Sequence, residues 1–175
     1  MSDEALSQFH ASAKEYCDWV RDFKDDCDRV GAMRSLQRLL TELHLAWIQV
    51  SRPEGEISYV DVATEDVTPI RRNFCEILPV DGYLSVWDPL DFDDKDVPIM
   101  SYLPDDIADI YGDLTLGLEH WREDRKVNAY ADWNLRYDHW GKHLINASAV
   151  LFQYLHDFPD GSTSQRRRVW NDVAP

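Results

Sequence analysis

Apolar side chains recurring every three or four residues constrain this chain more than any other feature. That spacing lays them along one side of a helix with 3.6 residues per turn. In the first segment Leu6, Phe9, Ala13, Tyr16, Val20 and Phe23 follow it, and in the second Met33, Leu36, Leu40, Leu43, Trp47 and Val50. Ser2 is placed to cap the first helix, with Asp3 and Glu4 opposing the positive end of its dipole. Gly31 and the run KDDCD separate the two helices, and SRPEG ends the second. Thr68 and Pro69 read as the cap and first position of a short helix with Ile70, Phe74, Ile77 and Leu78 on its apolar face. Pro104 opens a further long helix, whose buried stripe is Ile107, Ile110, Tyr111, Leu114, Leu118 and Trp121. After a short link near Asp124 comes the longest pattern, running from Tyr130 through Asn134, Tyr137, Gly141, Leu144, Ser148, Leu151 and Leu155 to Phe158. Trp133, Trp140, Ala147 and Tyr154 widen that stripe on one side, and Gly141 and Ser148 leave room for a close-packed neighbour.

Four long amphipathic patterns, one short extra helix and no alternating strand pattern predict an all-α helical bundle. Such helices are unstable alone, so their stripes must be buried against one another. One domain is expected over residues 1–158. Within it, residues 79–103 form a long acidic, Pro-rich loop with room for a short extended piece at YLSVW. A loop of that length inside a compact domain is uncommon and often functional. Residues 159–175 read as a C-terminal tail without regular structure, with three arginines available to dock on the acidic body.

Charge narrows the partners. Thirty-three acidic against eighteen basic residues give a formal charge of −15. Phosphate backbones and anionic membrane surfaces both require concentrated Lys and Arg, so nucleic acid and membrane are disfavoured. A basic protein partner or a metal ion is favoured, although surplus carboxylates also serve simply to keep a protein in solution. Cys17, Cys27 and Cys75 are odd in number and form no C-x-x-C pair, which argues against a disulfide framework or a thiolate zinc site. The start, MSDEALSQF, has no basic stretch followed by an apolar run, and no apolar run approaches the ~20 residues of a membrane span. A cytoplasmic location is the expectation.

The segment HWGKHLINA places His139 and His143 four residues apart on one helix face, where two imidazoles can share a metal ion. The pair supplies two ligands, and the Glu that follows the first His in zinc-protease helices is missing. On a helical wheel both histidines fall away from the apolar stripe and beside Asp132, Arg136 and Asn146. Asp106, Asp109, Asp113 and His120 gather likewise opposite Ile107, Ile110 and Leu114. An antiparallel arrangement would bring Ile110 level with Gly141, and Asp109 and Asp113 to the height of the histidines. Because strongly polar helix faces usually meet water, both faces are expected to be solvated. The alternative is a divalent-metal site of His139, His143, Asp109 and Asp113. Trp133 and Trp140 read as core. Asp91, Asp93 and Asp96 suggest calcium, but Lys95, Asp96 and Tyr102 stand where an EF-hand loop needs an oxygen ligand, a Gly and a bidentate Glu. Neither a Gly-rich phosphate loop nor G-x-S-x-G is present.

Two stretches, LPDDIADIYGDLTLGL and WNLRYDHWGKHLINA, preceded by FHASAKEYCDWV, resemble the bacterial family catalogued as domain of unknown function 5063. The similarity runs from Phe9 to about Leu155. It implies a compact all-α fold without an established activity, and it puts Asp106, Asp109, Tyr111, Asp113, His139, Trp140, Gly141 and His143 at the family's motif positions. Gly112 stands where a basic residue is more usual. The leading expectation is a non-enzymatic domain that binds a basic protein; its competitor is a divalent-metal hydrolase built on the His/Asp residues.

Overall fold

The apolar stripes condense into helices at the predicted places. In a computed structural model that describes residues 2–24, 28–58, 60, 62–78, 80, 82–85 and 99–160, six helices flank one small hairpin. They are α1 (Ser2–Asp22), α2 (Arg29–Trp47), α3 (Thr68–Ile77), α4 (Leu103–Arg122), α5 (Lys126–Leu135) and α6 (Tyr137–Asp157), with β1 (Gly82–Ser85) and β2 (Ile99–Tyr102) between α3 and α4. The fold is an all-α bundle. Helix α1 packs on α2 and α4, α2 on α6, and α6 on α4, so the four long helices close a ring around their shared stripes. The short α3 rests on α4, and α5 lies against α4 as well.

Two boundaries differ from expectation, and the link at Asp124 lies where expected. Gly31 does not separate α1 from α2: Asp28 caps α2, its carboxylate accepting from Val30 N at 3.1 Å, so Gly31 falls in the first turn. The long pattern from Tyr130 to Phe158 is two helices, because the backbone at Arg136 (φ −96°, ψ 3°) leaves the helical basin and turns the chain. Asp124 takes a left-handed φ of 57° in the α4–α5 link, a conformation a short Asp tolerates. The extended piece at YLSVW pairs antiparallel with β2, from Gly82 opposite Tyr102 to Ser85 opposite Ile99. The side chains of Ser2 and Asp3, on which the expected cap rests, lie outside what is described, as do the aspartates of residues 86–98, Cys27 and the arginines of the tail.

Aromatic rings fill the bundle. Phe9, Trp133 and Trp140 are fully buried, with Phe9 4.7 Å from the Trp47 ring and 4.9 Å from that of Trp133. Both indole N–H groups that would otherwise be orphaned are satisfied: Trp133 donates to Leu114 O at 3.0 Å and Trp140 to Trp133 O at 2.9 Å. A Cβ at Gly117 would collide with the Trp133 indole, so that glycine is what lets α5 approach α4 closely. The expected vacancy at Gly141 is filled differently. The ring of Tyr137, one turn earlier on α6, folds over it rather than a neighbouring helix. Cys17 and Cys75 are both thiols, and burial pushes the Cys17 thiol well up from its ordinary range.

Helix α4 is the centre of the molecule. Its buried residues include Ile107, Ile110 and Leu114 on one side and Asp106, Asp113 and His120 on the other. A helix covered on both sides has no solvated face, which decides where its aspartates point.

Candidate functional site

The polar faces of α4 and α6 meet. Asp106, Asp109 and Asp113 follow one another at spacings of three and four residues, and so line one side of α4. His139 and His143 line the facing side of α6. Asp106, near the start of α4, reaches His143, while Asp113, two turns on, reaches His139; the two helices therefore run antiparallel here. These contacts correct the expectation that the polar face of α4 is solvated, while on α6 His139 stays exposed as expected. Asp106 and Asp113 are buried. The break at Arg136 re-aims α6, so His139 no longer shares a side with Asp132, which pairs with His120 instead.

Each imidazole is held by one nitrogen. His139 Nδ1 donates to Asp113 Oδ2 at 2.6 Å, and His143 Nδ1 donates to Asp106 Oδ1 at 2.6 Å. The second oxygen of Asp106 accepts from the Tyr83 hydroxyl on β1 at 2.5 Å. Asp113 Oδ1 faces Arg136 Nη1 at 3.6 Å. An ionised carboxylate can only accept, so each Nδ1 carries a proton, and in the neutral form of the ring the Nε2 then keeps a lone pair. Those two Nε2 atoms lie 3.3 Å apart, the rings crossing at 78° with centroids 4.6 Å apart. Asp109 completes the group, its Oδ2 3.6 Å from His143 Nε2 and its Oδ1 3.4 Å from Arg71 Nη2. Arg71 also grips Asp105 at 2.7 Å, which fixes the side chain that steadies Asp109.

Asp109, His139 and His143 each present a ligand atom, and all three atoms lie within 4.8 Å of one another. Two nitrogens bound to one ion at about 2.0–2.1 Å in tetrahedral geometry stand roughly 3.3–3.4 Å apart. The observed pair has that separation. The Nδ1–carboxylate bonds are the outer support that fixes tautomer and ring orientation in metal sites. Of the residues named from sequence, His139, His143 and Asp109 converge directly. Asp106 and Asp113 stand behind the rings. Tyr111, Trp140 and Gly141 are not at the cluster: Trp140 and Gly141 are core, and the Tyr111 hydroxyl donates to Glu65 at 2.8 Å beside Arg21. Tyr83 and Arg71 were not foreseen. Neither has a spacing relation to the cluster, and they arrive from β1 and α3.

Burial alone would lower the His143 pKa, but the hydrogen bond to Asp106 and the charges of Asp106, Asp109 and Asp113 outweigh it and hold the ring above its ordinary range. Burial lifts Asp106, against the bonds from His143 and Tyr83. The pair therefore keeps its proton tightly. Burial and the Asp106 contact push the Tyr83 hydroxyl far up, so it stays a donor.

The cluster opens on one side into a cleft of about 740 Å³ between α6 and the hairpin. Tyr83, Asp106, His139 and His143 form its polar end. Its volume matches that of pockets that take small molecules.

These features define an all-α bundle with a His/Asp cluster at a helix–helix seam, open to a cleft. The chain belongs to the family described as Domain of unknown function (DUF5063), whose sequence profile matches residues 1–157. Among solved structures it is similar to protein BF1032 from Bacteroides fragilis, with a TM-score of 0.64 and 19% identity over 85% of this chain and 93% of that one. That likeness is one of fold. No curated protein matches the chain in sequence. No helix among the described residues is long and apolar enough to cross a membrane.

Proposed function

We propose that the chain holds one divalent transition-metal ion between Asp109, His139 and His143 and acts as a metal-dependent hydrolase. One observation carries this reading: two Nε2 atoms, on rings each held through Nδ1 by a buried aspartate, face each other at 3.3 Å. Two lone pairs that close repel unless a cation or a proton lies between them. Imidazole and carboxylate together suit zinc, iron or manganese. Three protein ligands with an open side are the pattern of catalytic rather than structural sites. Asp109, His139 and His143 would hold such an ion, which would supply a water acidic enough to react near neutral pH, and the cleft would give a substrate access to it. Asp106 and Asp113 orient the histidines; Tyr83 and Arg136 hold those aspartates.

The test is elemental analysis of protein purified without a histidine tag, paired with thermal shift. About one ion per chain and a raised Tm with zinc or manganese are expected. Sub-stoichiometric metal together with no shift on adding zinc, manganese or magnesium would refute the reading.

A basic protein partner is the second reading, and the formal charge of −15 supports it. Association with a basic protein at low salt that disappears as salt rises is the expected behaviour. Salt-insensitive association, or none, counts against it.

A further inference from the structure

The cleft continues well past the cluster. Its α6 wall runs from His139 through Asn146 and Ala149 to Gln153, about 21 Å of helix. The opposite wall is the hairpin, whose cleft-facing side carries Tyr83, Ser85, Ile99 and Ser101. Ile145 on α6 and Ile99 on the hairpin are 53% and 48% exposed, so an apolar side chain on each wall stands in water when the cleft is empty. Exposed large apolar residues scattered singly mean little, but two facing each other across a groove that ends on a polar cluster, with Ala149 and Val150 between, mark a ligand surface.

The polar groups along these walls are largely paired already. Ser85 Oγ and Ser101 Oγ share a hydrogen bond at 2.7 Å, and the Tyr83 hydroxyl binds Asp106 and is bonded by Asn146. A peptide laid here would bring N–H and C=O groups that find few partners, which is unfavourable. An alkyl chain brings none. Lys142 at the rim and an ion at the Asp109–His139–His143 cluster put positive charge at one end of an otherwise apolar trough.

We infer that this cleft takes an aliphatic acyl group, its carbonyl end at the His/Asp cluster and its chain along Ile145, Ala149 and Val150 towards Gln153. The inference rests on the metal reading above and supplies its substrate class. Ile99, Ile145 and Val150 set the chain-length preference, and the hairpin is the wall that covers the chain.

Alkyl hydroxamates test it, because the hydroxamate head binds a metal while the chain length is varied. Zinc-loaded protein is titrated calorimetrically with aceto-, hexano-, octano- and decanohydroxamate, and with a capped tripeptide hydroxamate of similar length. Each added methylene is expected to tighten binding roughly twofold to fourfold, giving octanohydroxamate at least a tenfold advantage over acetohydroxamate. Ile145→Asn and Ile99→Asn change exposed positions and should leave acetohydroxamate binding unchanged while cutting that advantage several-fold. Protein that loads zinc yet binds all chain lengths equally, prefers the peptide, or keeps its chain-length gain in both variants overturns this inference and leaves the metal reading standing. Protein that loads no metal overturns both.

Discussion

Two histidine–aspartate groups sit on α4 and its neighbours, and their bonding differs in one respect. His120 is buried, with Nε2 2.8 Å from Asp132 and Nδ1 accepting from Arg125 Nε at 3.2 Å. Both ring nitrogens are used, and nothing is left to bind a ligand. The group ties α4 to α5 and the link between them. At the other end of α4, His139 and His143 each use Nδ1 on a buried aspartate and turn Nε2 towards the other ring and Asp109. One arrangement is saturated, and the other is poised. The same residue types at the same helix therefore build a lock in one place and a receptor in the other, and counting His and Asp in the sequence would not separate them.

The largest effects should come from truncating each histidine. His143→Ala is expected to reduce zinc affinity at least 100-fold by calorimetry, since one of three ligands is lost. His120→Ala is expected to leave zinc affinity within about twofold and to destabilise the fold by about 1–3 kcal/mol in urea unfolding, because the Asp132 and Arg125 groups facing the buried ring lose their partner. Reversed outcomes would break the distinction between the two groups.

The aspartates give the next contrast. Asp106→Asn keeps the shape but weakens the hold on the His143 tautomer, and a 10–100-fold loss of metal affinity is expected of such outer support. Asp132→Asn, the matching change at the lock, should leave metal binding unaltered. Zinc titrations of both variants decide the point.

Proton competition sharpens the comparison further. Nearby carboxylates hold the His143 proton more tightly than usual, and a metal must displace protons from its ligands, so affinity should fall as pH drops through the His143 transition. A metal affinity flat with pH would contradict the assigned ligands. The smallest effect concerns His10, stacked on Trp121 at 4.3 Å. Burial and then Lys14 lower its pKa, so the unfolded chain takes up this proton first. Stability should slip slightly as pH falls through about 6.5, and His10→Gln should remove that dependence in thermal melts.

Much of the fold was legible because the buried stripes obey one rule. Leu6, Phe9, Ala13, Tyr16 and Val20 on α1, and Met33, Leu36, Leu40 and Leu43 on α2, are buried as their spacing requires. The site was half legible. Antiparallel heights were right, since Asp113 does stand opposite His139. Direction was not, for two physical reasons. The turn at Arg136 is set by local backbone geometry that no apolar period announces, and it rotates His139 relative to Asp132. Helix α4 is also covered on both sides, whereas the wheel treated its polar side as water-facing. A signal did exist. From Leu103 to Leu118 the charged residues are aspartates alone, without the Lys, Arg or Glu that solvated helix faces carry. Tyr83 and Arg71 come from separate elements, and only tertiary packing brings them near.

The most direct test of the central claim reads the ring nitrogens themselves. Nitrogen-15 NMR of imidazole-labelled protein, assigned with His139→Gln and His143→Gln, follows both Nε2 signals during zinc addition. The account predicts Nδ1–H tautomers for both rings and a shift of both Nε2 resonances that saturates at one ion per chain, with His120 unmoved. Nε2 signals that stay in place while zinc is added, or a His120 response in their stead, would contradict it.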